Sequence, residues 1–235
     1  MVRRRTAVAL TLPGMDAGPK PGPVSAVARA LCVPQSKSRT RPVPAPKPWE
    51  AVVVTVDAAR MSGWAIGVRG KIVGSGEHDT ERHPHLSAGV CEAAVTLGKV
   101  HSLPVVMVLE FMWGGRVTAT VGCSIACERW RAAWRAAGQA RGRMGRVQPK
   151  QWRGPVLGTC WAHAKREDVR PVEQSMARGI VGRDNVGEDE APAICMQHWA
   201  ARAALVGKLI GKRASEQSLR AWTGMLPKGR ARAKG

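Results

Sequence analysis

Two periods of apolar residues alternate along the middle of the chain. Ala51–Asp57 is a β-branched apolar run that closes on an acid, the pattern of a buried strand. Gly63–Arg69 and Lys71–Gly76 read as two more strands, joined by a turn at Arg69-Gly70. Leu86–Val100 places Val90, Ala93, Ala94 and Leu97 at helical spacing. Pro104 then precedes Val105–Phe111, a second buried run with an acid, Glu110, near its end. Ser124–Ala137 predicts a helix with Trp130, Trp134 and Ala137 along one side. Arg146–Gln148 predicts a short strand, and Lys165–Arg178 and Ala191–Val206 two further helices. Three meandering strands followed by alternating helices and strands predict an α/β fold, a mixed five-stranded sheet flanked by helices.

The ends carry no such pattern. Residues 1–48 are rich in Pro, Arg and Lys, and the stretch 34–48 lacks the apolar surface to order itself. It predicts a flexible basic arm, with a second basic tail over 213–235 and a folded domain over 49–212 between them. Ala7–Leu12 is short for a secretory segment and has no cleavage site behind it. The Arg-rich, acid-poor start leaves an organellar leader as the lesser reading. No run approaches the roughly 18 apolar residues of a membrane span. Six widely spaced cysteines without a paired CxxC predict reduced thiols and a cytoplasmic setting, in a bacterium or a phage-infected cell.

Charge narrows the function. Lys and Arg number 37 against 17 Asp and Glu, a net charge of +20. Self-repulsion of that size is offset by a polyanionic partner, with nucleic acid ahead of an anionic membrane surface. Arg129, Arg131, Arg135, Arg141, Arg143 and Arg146 form a dense basic stretch, with no acid after Glu128, that suits a DNA track. Gly114-Gly115-Arg116 would let backbone approach a phosphate, with a plain loop as its other reading.

The acids at the strand ends supply candidate chemistry. An acid after four or five apolar strand residues is costly in a core unless paired or metal-bound. Asp57 and Glu110 fit that description, and Glu188-Asp189-Glu190 opens an apolar helix. At about 5 Å and an effective dielectric of about 20, two carboxylates repel by roughly 3 kcal/mol. Divalent cations would relieve this, and hard oxygen ligands favour Mg²⁺ or Mn²⁺. Two ions about 4 Å apart activate water and stabilise the leaving oxygen of a phosphodiester. On spacing alone, solvated strand-end acids and a favourable helix dipole explain the same residues.

At these residues the chain resembles the RuvC resolvases of bacteria and phages, members of the RNase H-like nucleases. The resemblance runs from about Ala51 to Val206. It rests first on Val56-Asp57-Ala58-Ala59-Arg60 followed by Ser62-Gly63-Trp64-Ala65, and next on Val108-Leu109-Glu110-Phe111-Met112-Trp113. Gln151-Trp152-Arg153-Gly154-Pro155-Val156-Leu157-Gly158, continuing to Lys165, is the third match, and Asp189-Glu190-Ala191-Pro192-Ala193-Ile194 the fourth. The resemblance implies an RNase H-like fold and a homodimer that binds four-way DNA junctions and nicks two strands symmetrically with Mg²⁺ and an activated water. Carried over, Asp57, Glu110 and Asp189 hold the metals. Arg153 and Lys165 contact phosphate or stabilise transition-state charge, and Trp113 stacks on an unpaired base. Arg116, Arg143 and Arg146 extend the DNA-binding set. The chain departs from the family at Pro192, which stands where a further acid falls one turn into the last helix. Asp189 then serves as third carboxylate, with Glu188 or Glu190 beside it. The rival readings are an RNA–DNA hybrid nuclease and a non-catalytic basic DNA-binding protein.

Overall fold

The structure is a computed structural model that describes residues 47–111 and 117–211. Nearly all of the two predicted arms lies outside those residues, as do Trp113 and Gly114-Gly115-Arg116. The strands are β1 (Val52–Asp57), β2 (Met61–Val68), β3 (Lys71–Asp79), β4 (Val105–Glu110) and β5 (Met144–Val147). The helices are α1 (Pro84–His101), α2 (Val117–Ala136), α3 (Pro149–Leu157), α4 (Arg166–Val181), α5 (Glu190–Ala200) and α6 (Ala204–Leu209). The five strands form one sheet in the order β3-β2-β1-β4-β5. β1 pairs antiparallel with β2, and β2 with β3, while β1–β4 and β4–β5 are parallel. This is the mixed α/β sheet that the element order predicts.

Alternation along the strands divides the core into two layers. Val53, Ala65, Val106, Val108 and Val147 face one side and pack against Trp152 of α3, Ala177 of α4 and Ile194 of α5. Val52, Val54, Val56, Met107 and Leu109 face the other and meet Val90 and Ala94 of α1 and Trp130 and Trp134 of α2. Burying each such side chain stabilises the fold by roughly 1.5–3 kcal/mol, enough to fix which face each residue takes. The β2–β3 turn has both Arg69 (φ 50°) and Gly70 (φ 79°) in the left-handed region, as a two-residue hairpin requires.

Three helical elements differ most from the sequence reading, while β3 runs on to Asp79 and β5 starts earlier, at Met144. The expected helix Ala191–Val206 is broken into α5 and α6. Trp49 causes the break: its backbone N–H donates to the Ala201 carbonyl at 2.8 Å and its indole N–H to the Ala203 carbonyl at 2.8 Å. Helix α3 was not predicted, because Trp152 is its one buried residue and leaves no periodic stripe. It begins at Pro149, where a missing N–H costs nothing, and the Gln151 side chain accepts the Gln148 N–H at 2.7 Å. Helix α2 starts at Val117 rather than Ser124. Among the described residues no helix is long and apolar enough to cross a membrane.

Candidate active site

The register of the sheet builds the site. Asp57 is the partner of Gly63 on β2 and of Glu110 on β4, and Gly63 is in turn the partner of Glu77 on β3. Cross-strand partners share a face and neighbouring strands lie about 4.8 Å apart. Asp57 and Glu110 therefore project side by side onto the face that carries α5. Both are buried, at 9% and 3% exposure. Glu110 Oε2 accepts the indole N–H of Trp152 at 2.5 Å. The Asp57 carboxylate accepts no hydrogen bond among the described residues. Burial holds both carboxyls above the usual carboxylate range, and the charge of Asp57 pushes Glu110 further up.

Helix α5 brings a third acid to this rim. The Thr55 hydroxyl donates to the Ala193 carbonyl at 2.8 Å and fixes the helix over β1. Its first turn passes so close to β2 that a Cβ on Gly63 would stand 1.6 Å from the Asp189 carbonyl oxygen. Glu77 Oε2 accepts the N–H groups of Asp189 and Glu190, at 2.9 and 3.1 Å. A carboxylate from a neighbouring strand thus does the work of an N-cap, at the positive end of the helix. Asp189 raises the Asp57 carboxyl through space, so the two charges are within electrostatic reach. Its own carboxylate is turned to Arg166, at 2.8 Å, and Arg170, at 3.6 Å.

The remaining predicted residues divide. Glu190 is buried, but it pairs with Arg183 and accepts the Gly187 N–H at 3.0 Å. That engages both of its oxygens. Pro192 is buried in the first turn of α5, where its missing N–H was unpaired anyway. Arg153 lies near both acids and lowers their carboxyls, yet its Nε is committed to the buried Glu173 at 2.9 Å. Lys165 is exposed and immediately precedes α4. Arg143 and Arg146 lie at the β5 edge; Arg146 sits over the Phe111 ring at 5.4 Å and shares a second cleft with Arg131 and Arg135. As they stand, no three His, Cys, Asp or Glu side chains among the described residues are grouped to enclose a metal ion.

No known protein family matches the sequence, and neither does any curated protein. Solved structures of similar fold include two of one protein. Thermus thermophilus RuvC is 16% identical with a TM-score of 0.46, over 69% of this chain and 98% of that one. T. thermophilus RuvC in complex with Holliday junction substrate is 14% identical with a TM-score of 0.45, over 68% of this chain and 94% of that one.

Four residues of the site escaped the sequence reading. Trp152 and Glu77 act through long-range hydrogen bonds and have no local signature. Glu173 had one: Val169, Glu173 and Ala177, four residues apart, are the buried stripe of α4, so an acid stands where the helix faces the core. Burial raises its carboxyl, and Arg153 opposes that. Arg170, one turn after Arg166 on α4, joins it on Asp189 and lines a cleft of about 720 Å³ with Arg60 and Met61.

Proposed function

We propose that this chain is a divalent-metal-dependent endonuclease that cuts branched DNA, with four-way junctions as its substrate. One observation carries the reading: two buried carboxylates, Asp57 and Glu110, are held in register at the same end of adjacent parallel strands. A third acid, Asp189, stands on the same rim, in a cleft that Arg60, Arg166 and Arg170 line together with Glu167 and Glu188.

The donor set fits Mg²⁺ or Mn²⁺. It consists of hard carboxylate oxygens, and buried Asp57 lacks any hydrogen bond among the described residues. Such a pair of charges is costly without a counter-ion. Asp57, Glu110 and Asp189 would hold the metal, two ions in the full site, which neutralises the acids and activates a water for phosphodiester hydrolysis.

The chain's own residues do the rest. Trp152 orients Glu110 through the indole N–H. The Arg153–Glu173 pair keeps a guanidinium beside the acids and moderates their repulsion. Arg60, Arg166 and Arg170 line the cleft and meet the phosphodiester backbone, while exposed Lys165 adds charge at its mouth. Trp113 stacks on an unpaired base, and Arg116, Arg143 and Arg146 extend the contact. The net charge of +20 and the two basic arms add sequence-independent affinity. Two copies of the chain, one for each nick, resolve the junction symmetrically.

The test is cleavage of a synthetic four-way junction, a linear duplex and an RNA–DNA hybrid, in Mg²⁺ and in chelator. The wild type nicks the junction only with Mg²⁺, and Glu110→Gln does not nick it. Cleavage confined to the hybrid would point to a hybrid nuclease. Tight DNA binding without nicking, unchanged by Mg²⁺ and by Asp57→Asn, would leave a non-catalytic binding protein.

A further inference from the structure

Arg166 and Arg170 share one carboxylate oxygen, and that arrangement leaves unused capacity. They are one helical turn apart on α4 and project to the same side. Arg166 donates to Asp189 Oδ1 at 2.8 Å, and Arg170 lies 3.6 Å from the same atom while also pairing with Glu188. The Nε–H of Arg170 is buried and has no hydrogen-bond partner among the described residues. Buried guanidinium donors are rarely left unpaired in a native site. The side chains of Arg166 and Arg170 remain 44% and 31% exposed on the wall of the 720 Å³ cleft, whereas that of Asp189 is only 17% exposed. A tetrahedral phosphate offers several oxygens to such a pair, and a single Asp oxygen does not. The contact to Asp189 uses one carboxylate oxygen between partly exposed side chains, and such pairs are weak, whereas a phosphate can accept from both guanidiniums at once.

We propose that Arg166 and Arg170 form an exchange clamp, holding Asp189 while the cleft is free of DNA and passing to a backbone phosphate when DNA enters. Asp189, released, turns toward Asp57 and Glu110 and completes the acidic site. The proposal rests on the nuclease reading of these acids. It adds that metal binding and DNA binding are coupled, and that the arginines are the coupling element. Without DNA the guanidiniums compete with a cation for Asp189. With DNA they are occupied elsewhere, and the bare carboxylates favour the cation. By thermodynamic linkage, DNA must tighten metal binding by the same factor by which metal tightens DNA binding.

The experiment is calorimetric titration of the full chain with Mn²⁺, alone and bound to a four-way junction. The junction carries phosphorothioate linkages around the branch, which keep the charge and slow hydrolysis. In the wild type the junction tightens Mn²⁺ binding by roughly 5–150-fold, the usual range of such coupling. In the double variant Arg166→Gln/Arg170→Gln, Mn²⁺ binds the DNA-free protein more tightly than it binds wild type. The same variant binds the junction more weakly, and the coupling factor falls toward one. Replacing both arginines by lysine, which keeps the charge but not the fork, restores part of the coupling. Circular dichroism checks the fold; should the double variant unfold, Arg166→Gln alone, the more exposed position, gives the same signs at smaller size. Equal Mn²⁺ affinity of the two DNA-free proteins, or full coupling in the double variant, overturns the clamp and leaves the metal reading standing. No Mn²⁺ binding by either protein, with or without DNA, overturns the metal reading and the clamp with it.

Discussion

The backbone of Asp189 rests directly on Gly63, with its carbonyl oxygen 1.6 Å from the point a Cβ would occupy. Gly63 is also the sheet partner of Asp57, so the contact that brings α5 down onto β2 brings the third acid to the first. Gly63→Ala cannot be absorbed by a side-chain rotation, because the clash is with backbone. The variant is expected to lose roughly 1–3 kcal/mol, the range for overpacking. It also lifts Asp189 from the rim. A urea midpoint measures the first effect, and weakened Mn²⁺ binding by the refolded variant measures the second.

Glu77 caps α5 from a different strand, which separates two contributions. Glu77→Ala removes acceptor and charge together and is expected to cost about 0.5–2 kcal/mol, like loss of an ordinary N-cap. Glu77→Gln keeps an acceptor and loses only the dipole interaction, about 0.3–1 kcal/mol. Equal destabilisation of the two variants would mean that charge alone holds the helix start.

Burial raises the carboxyls of both Asp57 and Glu110, and the charge of Asp57 raises Glu110 further. Asp57→Asn removes one of two adjacent buried charges and is expected to raise metal-free stability, by up to roughly 3 kcal/mol at about 5 Å and an effective dielectric of about 20. The same variant loses the rise in melting temperature that Mg²⁺ gives the wild type. A less stable Asp57→Asn in chelator would show that the carboxylate is compensated from within the protein.

His78 supplies a pH dependence on the opposite face of the sheet. Its Nε2 lies 2.9 Å from the Ser87 hydroxyl, and burial, followed by the nearby His83, lowers its pKa from 6.5 to about 4. The unfolded chain therefore takes up this proton at a higher pH than the folded one. The stabilisation is complete above pH 6.5 and is lost as pH falls toward about 4. Melting temperatures between pH 7 and pH 4 should fall less steeply for His78→Gln than for wild type. Parallel curves would exclude His78 as the source.

The strands and the two strand-end acids were legible in the sequence because a run such as Val52, Val53, Val54 and Val56 ending in Asp57 is a local signal. The pairing of Asp57 with Glu110 follows once β1 and β4 are neighbours. What could not be read was how the acids are partnered. Glu190 looks as suitable a ligand as Asp189 in sequence, and only Arg183 and the Gly187 N–H show that it is engaged elsewhere. Arg153 reads as a free phosphate contact until Glu173, twenty positions on, is found against it. The helical spacing marks Glu173 as buried, but which residue of another element pairs with it leaves no periodic trace. The break after α5 was hidden for the same reason, since Trp49 makes it from a distant part of the chain.

The parallel pairing of β1 with β4 also bears on the order of assembly. β2, β3 and α1 all lie between the two strands in the chain, so their union closes a long loop, and contacts of that kind form slowly. The hairpins β1–β2 and β2–β3 can form beforehand without bringing two acids together. The mutual repulsion of Asp57 and Glu110 therefore enters only when β1 and β4 pair. Divalent ions that need both carboxylates have nothing to grip before that pairing: ions that slow unfolding and leave refolding unchanged would put the pairing after the folding transition state, and ions that speed refolding would put it before.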